Sequence, residues 1–129
     1  MKISPLNFSA KYKFKDTVVE YFNLSEVTQG GPEIGKLFID NQPFLKDEYF
    51  GGPLLYYEKN HSIILPIHAS TFLNYGFKII VIDLTSKEYK ISSKKEKIIL
   101  FKSIKNDVLE YYSDLENTKL VHLHIGLMR

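Results

Sequence analysis

Apolar and polar residues alternate near both ends of the chain. From Leu6 to Lys15, apolar side chains occupy every second position, with serine, asparagine or lysine between them. From Val121 to Leu127, every second residue is again apolar. A period of two places the apolar residues on one side of an extended strand. We therefore predict an opening and a closing β-strand, each with one buried and one solvent-facing side.

One segment in the middle of the chain is apolar almost without interruption. Phe77–Leu84 is dominated by isoleucine, valine, leucine and phenylalanine. Such a run predicts a central strand that is buried on both faces. We expect the residues 85–88 to turn the chain into a partner strand at Tyr89–Ile91. Asp83 lies where a catalytic carboxylate would be possible, but its expected role is to cap that turn.

A hairpin is predicted just before this run. Leu54–Glu58 and Ser62–Ile67 are apolar segments separated by Lys59-Asn60, which favours a turn. Because Pro66 has no amide to donate, we expect the second strand to end there or to lie at a sheet edge. The residues 69–76 are expected to form a loop.

The tripeptide Gly-Gly-Pro occurs twice, at Gly30–Pro32 and Gly51–Pro53, and each copy precedes an apolar stretch. Glycine adopts backbone angles that other residues avoid, and proline lacks an amide donor. Each copy therefore favours a turn that leads into a strand, the first into Ile34–Ile39. Asp40-Asn41 then favours a turn of left-handed backbone. Segments in this order are typical of a β-meander.

The segment Ser93–Asn117 fits two structures. Its apolar residues recur every three or four positions, as in a helix, and Asp107 with Glu110 resembles a capping box. This pattern favours a strand over about 97–104 and then a short helix over 107–116. Lys105–Asp107 also suits a tight turn, in which case Val108–Tyr112 forms the second strand of a hairpin.

We therefore predict a mainly β fold, a single antiparallel β-meander curled into a sandwich or an open barrel, with one or two short helices. A length of 129 residues fits one domain, 1–129, that buries a core without disulfides. The predicted core comprises Phe8, Tyr12, Phe14, Leu37, Ile39, Leu55, Ile64, Ile80, Ile82, Ile99, Phe101, Leu123 and Ile125.

Composition and motifs exclude several classes of function. There is no cysteine, so neither a disulfide framework nor thiolate chemistry is expected. The first eight residues lack the apolar core of a signal peptide, and Ile79–Ile82 is too short to cross a bilayer. Neither a nucleotide-binding glycine motif nor a nucleophile elbow is present. We expect a cytoplasmic protein that is not an enzyme, needs no cofactor and does not bind membranes.

Charges are segregated along the chain. Eight acids and three lysines lie between Asp16 and Lys59, whereas seven lysines and two glutamates lie between Lys87 and Lys105. Such blocks are most often solvated faces, but they also indicate where charged partners dock. The Lys87–Lys105 region, with Tyr89 and Phe101 nearby, supports one alternative, a nucleic-acid-binding β domain that contacts phosphates and stacks on bases.

A second acidic block surrounds two tyrosines. Asp107, Glu110, Asp114 and Glu116 lie around Tyr111 and Tyr112 with no basic residue among them. If the segment is helical, 107, 110 and 114 share one face. Carboxylates steer a basic partner and tyrosine anchors it, so we predict that Asp107, Glu110, Tyr112, Asp114 and Glu116 bind a partner protein. The alternative is an ordinary amphipathic helix whose tyrosines fill the core.

His122 and His124 have the spacing of metal ligands on a strand. Residues two apart project from the same face, so both imidazoles could reach one ion, with His61 or His68 as a third ligand. The alternative is two solvated histidines on the outer face of the last strand. We expect no metal, and His122 and His124 remain the only weak candidates.

Three segments together resemble the small β-rich immunity proteins of bacterial polymorphic-toxin and contact-dependent-inhibition systems. They are Gly51–Tyr57, Ile80–Leu84 and Tyr111–Leu115. The resemblance implies a non-catalytic bacterial protein that binds a cognate toxin, possibly a nuclease, and blocks its active site. It assigns no functional residue. The expected partner is thus a protein, with nucleic acid as the alternative.

Overall fold

The computed structural model describes residues 4–71 and 74–128. Within these residues, eleven strands form three antiparallel sheets, and the helical structure consists of two single-turn 3-10 segments, Glu58–Asn60 and Ile125–Leu127. The strands are β1 (Lys11–Phe14), β2 (Thr17–Glu26), β3 (Glu33–Ile39), β4 (Gln42–Phe44), β5 (Leu55–Tyr57), β6 (Ser62–Thr71), β7 (Asn74–Asp83), β8 (Tyr89–Ile91), β9 (Leu100–Lys105), β10 (Val108–Tyr112) and β11 (Leu120–His124). The prediction of a mainly β, antiparallel fold is confirmed.

Each sheet is built from strands that follow one another along the chain. The first sheet has the order β1-β2-β3-β4, the central sheet β5-β6-β7-β8, and the third sheet β11-β10-β9. Phe50 joins the first two sheets, because it forms bridges to Gly35 on β3 and to Ile67 on β6. The described strands therefore form a meander folded into layers, and no barrel closes.

The central sheet is buried on both faces. On β6, Ile63 packs into the core shared with the first sheet, whereas its neighbour Ile64 packs into the core shared with the third sheet. On β7, Ile80 packs into the core shared with the first sheet and Ile79 into the core shared with the third sheet. Consecutive residues of a strand point to opposite faces, so a strand between two layers must be apolar at every position. The prediction of a central strand buried on both faces at 77–84 is confirmed.

Both Gly-Gly-Pro segments lead into strands, as predicted. Gly30 has a φ of +77°, which only glycine adopts freely. Gly52 lies so close to the Phe8 ring that a Cβ there would come within 2.7 Å of it. The predicted left-handed turn at Asp40-Asn41 is also present, with φ values of 49° and 67°. The first copy therefore needs glycine for its backbone angle and the second for close packing.

The opening strand is shorter than its alternation predicts. β1 begins at Lys11, and Leu6 is exposed. Ser4 and Asn7 exchange two backbone hydrogen bonds, so the chain turns back on itself before β1. Phe8 is nevertheless buried, packed against Tyr21. Of the five residues that the period of two placed inward, Phe8 is buried and Tyr12 and Phe14 are partly buried, whereas Leu6 and Ala10 are exposed.

Pro66 neither ends β6 nor lies at a sheet edge, so that prediction is wrong. Its carbonyl accepts a hydrogen bond from the Gly51 amide at 2.9 Å, on the side of β6 away from β7. In an antiparallel strand, the amide and carbonyl of one residue point to the same side. The missing amide of Pro66 therefore costs β7 no hydrogen bond. The predicted loop at 69–76 is also wrong, because β6 and β7 extend as a long hairpin to Thr71 and Asn74.

The predicted helix over 107–116 is wrong, and the alternative hairpin is present. β9 and β10 pair antiparallel around Asn106-Asp107, whose φ values are 51° and 65°. A two-residue turn with positive φ at both positions matches the twist of the flanking strands, and asparagine and aspartate tolerate it. Leu109 and Tyr111, two positions apart, are the buried residues of β10, as in a strand, whereas Val108 and Leu115 of the helical spacing are not buried.

The predicted core is confirmed in its main part. Eight of the thirteen residues are buried, namely Phe8, Leu37, Ile39, Ile64, Ile80, Ile82, Ile99 and Ile125. The other five, Tyr12, Phe14, Leu55, Phe101 and Leu123, are partly buried and pack against the two cores. Within residues 4–71 and 74–128, no helix is long and apolar enough to cross a membrane.

Candidate protein-binding surfaces

The predicted partner-binding residues lie in and around β10 rather than on a helix. Alternation along β10 buries Leu109 and Tyr111 and points Glu110 and Tyr112 outward. These two residues occupy the outer face of the third sheet, the side turned away from the central sheet. Tyr112 pairs there with Leu120, which is 39% exposed. The structure thus brings Glu110 and Tyr112 onto one surface.

Glu110 is the centre of a polar cluster on this face. It accepts hydrogen bonds from Ser103 Oγ at 3.1 Å and from His122 Nε2 at 2.8 Å, and Lys102 Nζ lies 3.9 Å away. The Ser103 hydroxyl, followed by His122 and Lys102, lowers the pKa of the Glu110 carboxyl, which burial alone would raise. The carboxylate therefore already has cationic and hydroxyl partners within the chain.

Asp107 lies at the opposite end of β10 from Asp114, in the turn after β9. Its Oδ1 accepts a hydrogen bond from the Tyr57 hydroxyl at 2.6 Å, and Lys59 Nζ lies 3.5 Å from its carboxylate. The Tyr57 hydroxyl is the main cause of the lowered pKa of Asp107, and Lys59 adds to it. The predicted capping box with Glu110 does not form, and Asp107 instead fastens the turn to the central sheet.

Asp114 organises the loop between β10 and β11. Its carboxylate accepts hydrogen bonds from the amides of Thr118 and Lys119 and from the Thr118 hydroxyl. The bond from the hydroxyl is the main cause of the lowered pKa of Asp114. Glu116 is exposed in the same loop. The four carboxylates therefore do not form one face, and the predicted grouping of 107, 110 and 114 is wrong.

The two histidines of β11 are exposed to solvent. This arrangement matches the alternative hypothesis, in which they lie on the outer face of the last strand. His122 and His124 both point to the outer face, where His122 contacts Glu110. No group of three potential metal ligands occurs within residues 4–71 and 74–128. His61 lies elsewhere, where its ring nitrogens contact the hydroxyls of Tyr56 at 2.7 Å and Thr17 at 3.3 Å.

His68 likewise forms no group of three potential metal ligands among the described residues. It packs against the rings of Tyr75 and Phe77, and its Nε2 is buried without a hydrogen-bond partner among the described residues. Burial lowers the pKa of the His68 imidazole, and the charge of Glu48 opposes this effect only in part. The neutral imidazole therefore serves as part of the packing between two aromatic rings.

Asp83 caps a turn, as expected. Its Oδ1 accepts hydrogen bonds from the amides of Thr85 at 2.8 Å and Ser86 at 3.0 Å. It borders a groove of about 640 Å³ between the central and third sheets, which also includes Lys90 and Asp107. Glu88 also lines the groove, and both aspartates already hold turns together.

The lysines between Lys87 and Lys105 are dispersed over β8, the 93–97 segment and β9. Several have acceptors within the chain: Lys87 Nζ donates to the Leu84 carbonyl, Lys94 pairs with Glu96 at 3.5 Å, and Lys102 lies near Glu110. Three of the seven lysines thus have an acceptor or an acidic neighbour within the chain. Nucleic-acid binding by Lys87–Lys105 stays a prediction.

Two phenylalanines that sequence reasoning did not single out lie side by side on the outward face of the first sheet. The ring centroids of Phe22 and Phe38 are 4.8 Å apart with the planes at 74°, and Phe22 is 43% exposed. Across the strands, Phe22 faces Lys36 and Phe38 faces Glu20 and Pro43. We define the Phe22–Phe38 patch as these five residues.

The sequence contained a signal for this patch. In β2 and β3, the inward positions include Val19, Tyr21, Leu37 and Ile39, so the intervening positions should be polar. Phe22 and Phe38 break that rule on neighbouring strands. Apolar residues at solvent-facing positions indicate an interaction surface when they lie together.

Comparison with protein-family models, with curated proteins and with solved structures returns no match. The proposed function therefore rests on the exposed surfaces of the chain.

Proposed function

We propose that this chain is a non-catalytic protein-binding module, and that it acts as a cytoplasmic immunity protein that neutralises a cognate bacterial toxin. The observation that carries the binding role is the exposed contact between Phe22 and Phe38 on the outer face of the first sheet. The resemblance of Gly51–Tyr57, Ile80–Leu84 and Tyr111–Leu115 to immunity proteins supports the more specific assignment.

The Phe22–Phe38 patch has the composition of an interface centre. Aromatic side chains contribute large contact areas at low entropic cost and dominate binding when a partner excludes water from them. Lys36 Nζ lies 4.0 Å from the centre of the Tyr49 ring, which is itself 44% exposed, so a third aromatic residue borders the patch. Glu20 and Lys36 supply the charged rim, whose main effect is on the rate of association.

The acidic residues around β10 have a secondary place in this proposal. Glu116 is exposed in the Asp114–Lys119 loop, which follows β10 and its outward Tyr112. A toxin with a basic, phosphate-gripping cleft, such as a nuclease, would be steered by such charges. Asp107, Glu110 and Asp114 have partners within the chain, so we assign them to the structure of the third sheet first and to binding second.

Co-expression with the product of the adjacent reading frame tests the proposal. We expect the neighbour to be toxic alone and harmless beside this chain. Phe22→Ser should abolish protection, and Leu6→Ser is the matched control because Leu6 is similarly exposed, at 38%. The immunity assignment fails if the neighbour is harmless alone or equally toxic in both cases. The patch assignment fails if Phe22→Ser protects as well as Leu6→Ser.

A further inference from the structure

Almost every edge strand of the described sheets carries a device against pairing with another chain. β1 has outward lysines at Lys11 and Lys13, β4 contains Pro43, and β8 is three residues long with Lys90 at its centre. β5 is also three residues long, and β9 carries Lys102 and Lys105 beside a bulge. Lysines, proline, bulges and short length are the usual ways to keep a sheet edge from recruiting a strand.

β11 is the exception. It is five residues long, Leu120-Val121-His122-Leu123-His124, with no lysine or proline, and it pairs with β10 in an unbroken register. Val121 and Leu123 point into the core, and the chain continues into the 3-10 turn that carries the 75% exposed Leu127. An unprotected apolar edge of this kind is a template for strand addition.

The register of β10 and β11 shows which backbone groups of this edge point outward. The Ser113 amide donates to the Lys119 carbonyl and the Ile125 amide to the Asp107 carbonyl, so residues 119 and 125 bond toward β10. In an antiparallel pair, this role alternates from one residue to the next. The amides and carbonyls of Leu120, His122 and His124 therefore point away from β10, where no strand of the described chain pairs with them.

A groove of about 510 Å³ runs beside this edge, between β11 and the segment that follows β8. Its apolar lining includes Ile91, Val121, Leu123, Leu127 and Met128. Its charged or imidazole-bearing lining residues are Lys94, His122 and His124, and no carboxylate is among the lining residues. Lys94 pairs with Glu96 and His122 contacts Glu110, whereas His124 has no carboxylate at such a distance in the described part of the chain. The groove therefore favours a ligand with apolar groups on one side and, on the other, carboxylates that approach His124 or replace these two glutamates.

We propose that β11 accepts an extended segment of a partner protein as a fourth strand of the third sheet, and that this segment alternates apolar with acidic residues. Side chains two apart in a strand share a face, so the apolar ones would enter the groove while the acidic ones lie beside His122 and His124. Backbone hydrogen bonds to Leu120, His122 and His124 supply affinity, and the groove and the imidazoles supply selectivity. The inference goes beyond the proposed function, since it involves neither a toxin nor the Phe22–Phe38 patch.

The substitution His122→Pro isolates the contribution of one backbone hydrogen bond to peptide binding. The His122 amide points outward, so His122→Pro removes one donor from the free edge without removing a bond between β10 and β11. His122→Thr is the matched control, because it also loses the imidazole and its contact with Glu110 but keeps the amide. The loss of one hydrogen bond weakens binding about three- to tenfold, so His122→Pro should bind that much more weakly than His122→Thr.

Nuclear magnetic resonance titration of the full chain with a short capped peptide of alternating valine and glutamate tests the proposal. We expect chemical-shift changes centred on the amides of Leu120, His122 and His124, slower hydrogen exchange at those three amides, and weaker binding of the matching valine–lysine peptide. Absence of shifts, shifts centred elsewhere, equal binding of the lysine peptide, or equal affinity of the two variants would overturn the proposal. Exchange protection of these amides in the free protein that disappears on dilution would identify a second copy of the chain as the occupant and would also overturn it.

Discussion

The hydroxyl of Tyr21 donates a hydrogen bond to the carbonyl of Gly51 at 2.7 Å in the buried core between the first and central sheets. Burial raises the pKa of the Tyr21 hydroxyl well above its usual range, which favours the protonated form that donates this bond. The bond holds the second Gly-Gly-Pro segment against β2. A strand side chain thus fixes the position of a loop backbone.

Tyr21→Phe should therefore destabilise the fold although it preserves the ring. The carbonyl of Gly51 would lose its partner away from water, which costs about 1–3 kcal/mol. Urea unfolding followed by circular dichroism measures the change. Tyr89→Phe is the control, since Tyr89 is 45% exposed. Equal midpoints for the two variants would show that the hydroxyl of Tyr21 contributes nothing to stability.

A substitution at Ile80 tests whether β7 lies between two layers. Its side chain is fully buried on β7, so Ile80→Ala should lower the free energy of unfolding by about 2–5 kcal/mol through lost transfer energy and a residual cavity. Leu127→Ala, at a residue that is 75% exposed, should change it by less than about 0.5 kcal/mol. A loss at Ile80 as small as that at Leu127 would contradict the placement of β7 between two layers.

Asn106 distinguishes the hairpin from the helix. Its φ of 51° lies in the left-handed region, which asparagine tolerates and a β-branched residue does not. Asn106→Val should cost about 1–2 kcal/mol, whereas Asn106→Gly should be neutral or stabilising. Thermal melts of the two variants measure the difference. If valine and glycine give the same melting temperature, the turn at Asn106-Asp107 is not formed in solution.

His68 should make stability depend on pH. Burial lowers the pKa of its imidazole in the folded chain, so the unfolded chain binds the proton more readily. The contribution of His68 is therefore fully present above the unfolded pKa of about 6.5 and declines as the pH falls through the folded pKa. Urea midpoints of the wild type and of His68→Leu at pH 7.5 and 5.5 measure it. The wild type should lose more stability on acidification than the variant, and equal losses would refute this role for His68.

The sequence predicted the buried structure better than the surface. The apolar run at Phe77–Leu84 left little choice, because only a strand between two layers buries neighbouring residues on opposite faces. The segment 107–116 was ambiguous, because Tyr111 fits both an inward pair with Leu109 in a strand and a helical spacing with Val108 and Leu115. The two positive φ values at Asn106-Asp107 decided it, and sequence periodicity does not report backbone angle.

In the candidate site, too, the sequence predicted geometry within one strand but not contacts between strands. The spacing of His122 and His124 correctly placed both on one face, since a strand fixes that geometry locally. The contact of Glu110 with His122 depends on the pairing of two strands, and that of Asp107 with Tyr57 joins residues 50 positions apart. The Phe22–Phe38 contact likewise depends on the register of β2 and β3, which the sequence alone did not specify.

The central sheet is packed between the other two sheets, and this arrangement also affects local unfolding. β6 and β7 supply apolar side chains to both cores, so neither outer sheet can separate without exposing one face of the same hairpin. Motions that expose such a hairpin have free energies near that of complete unfolding. The amides of the β6–β7 ladder should therefore exchange with solvent only when the whole chain unfolds, while the outer edges, β11 among them, open and close far more often.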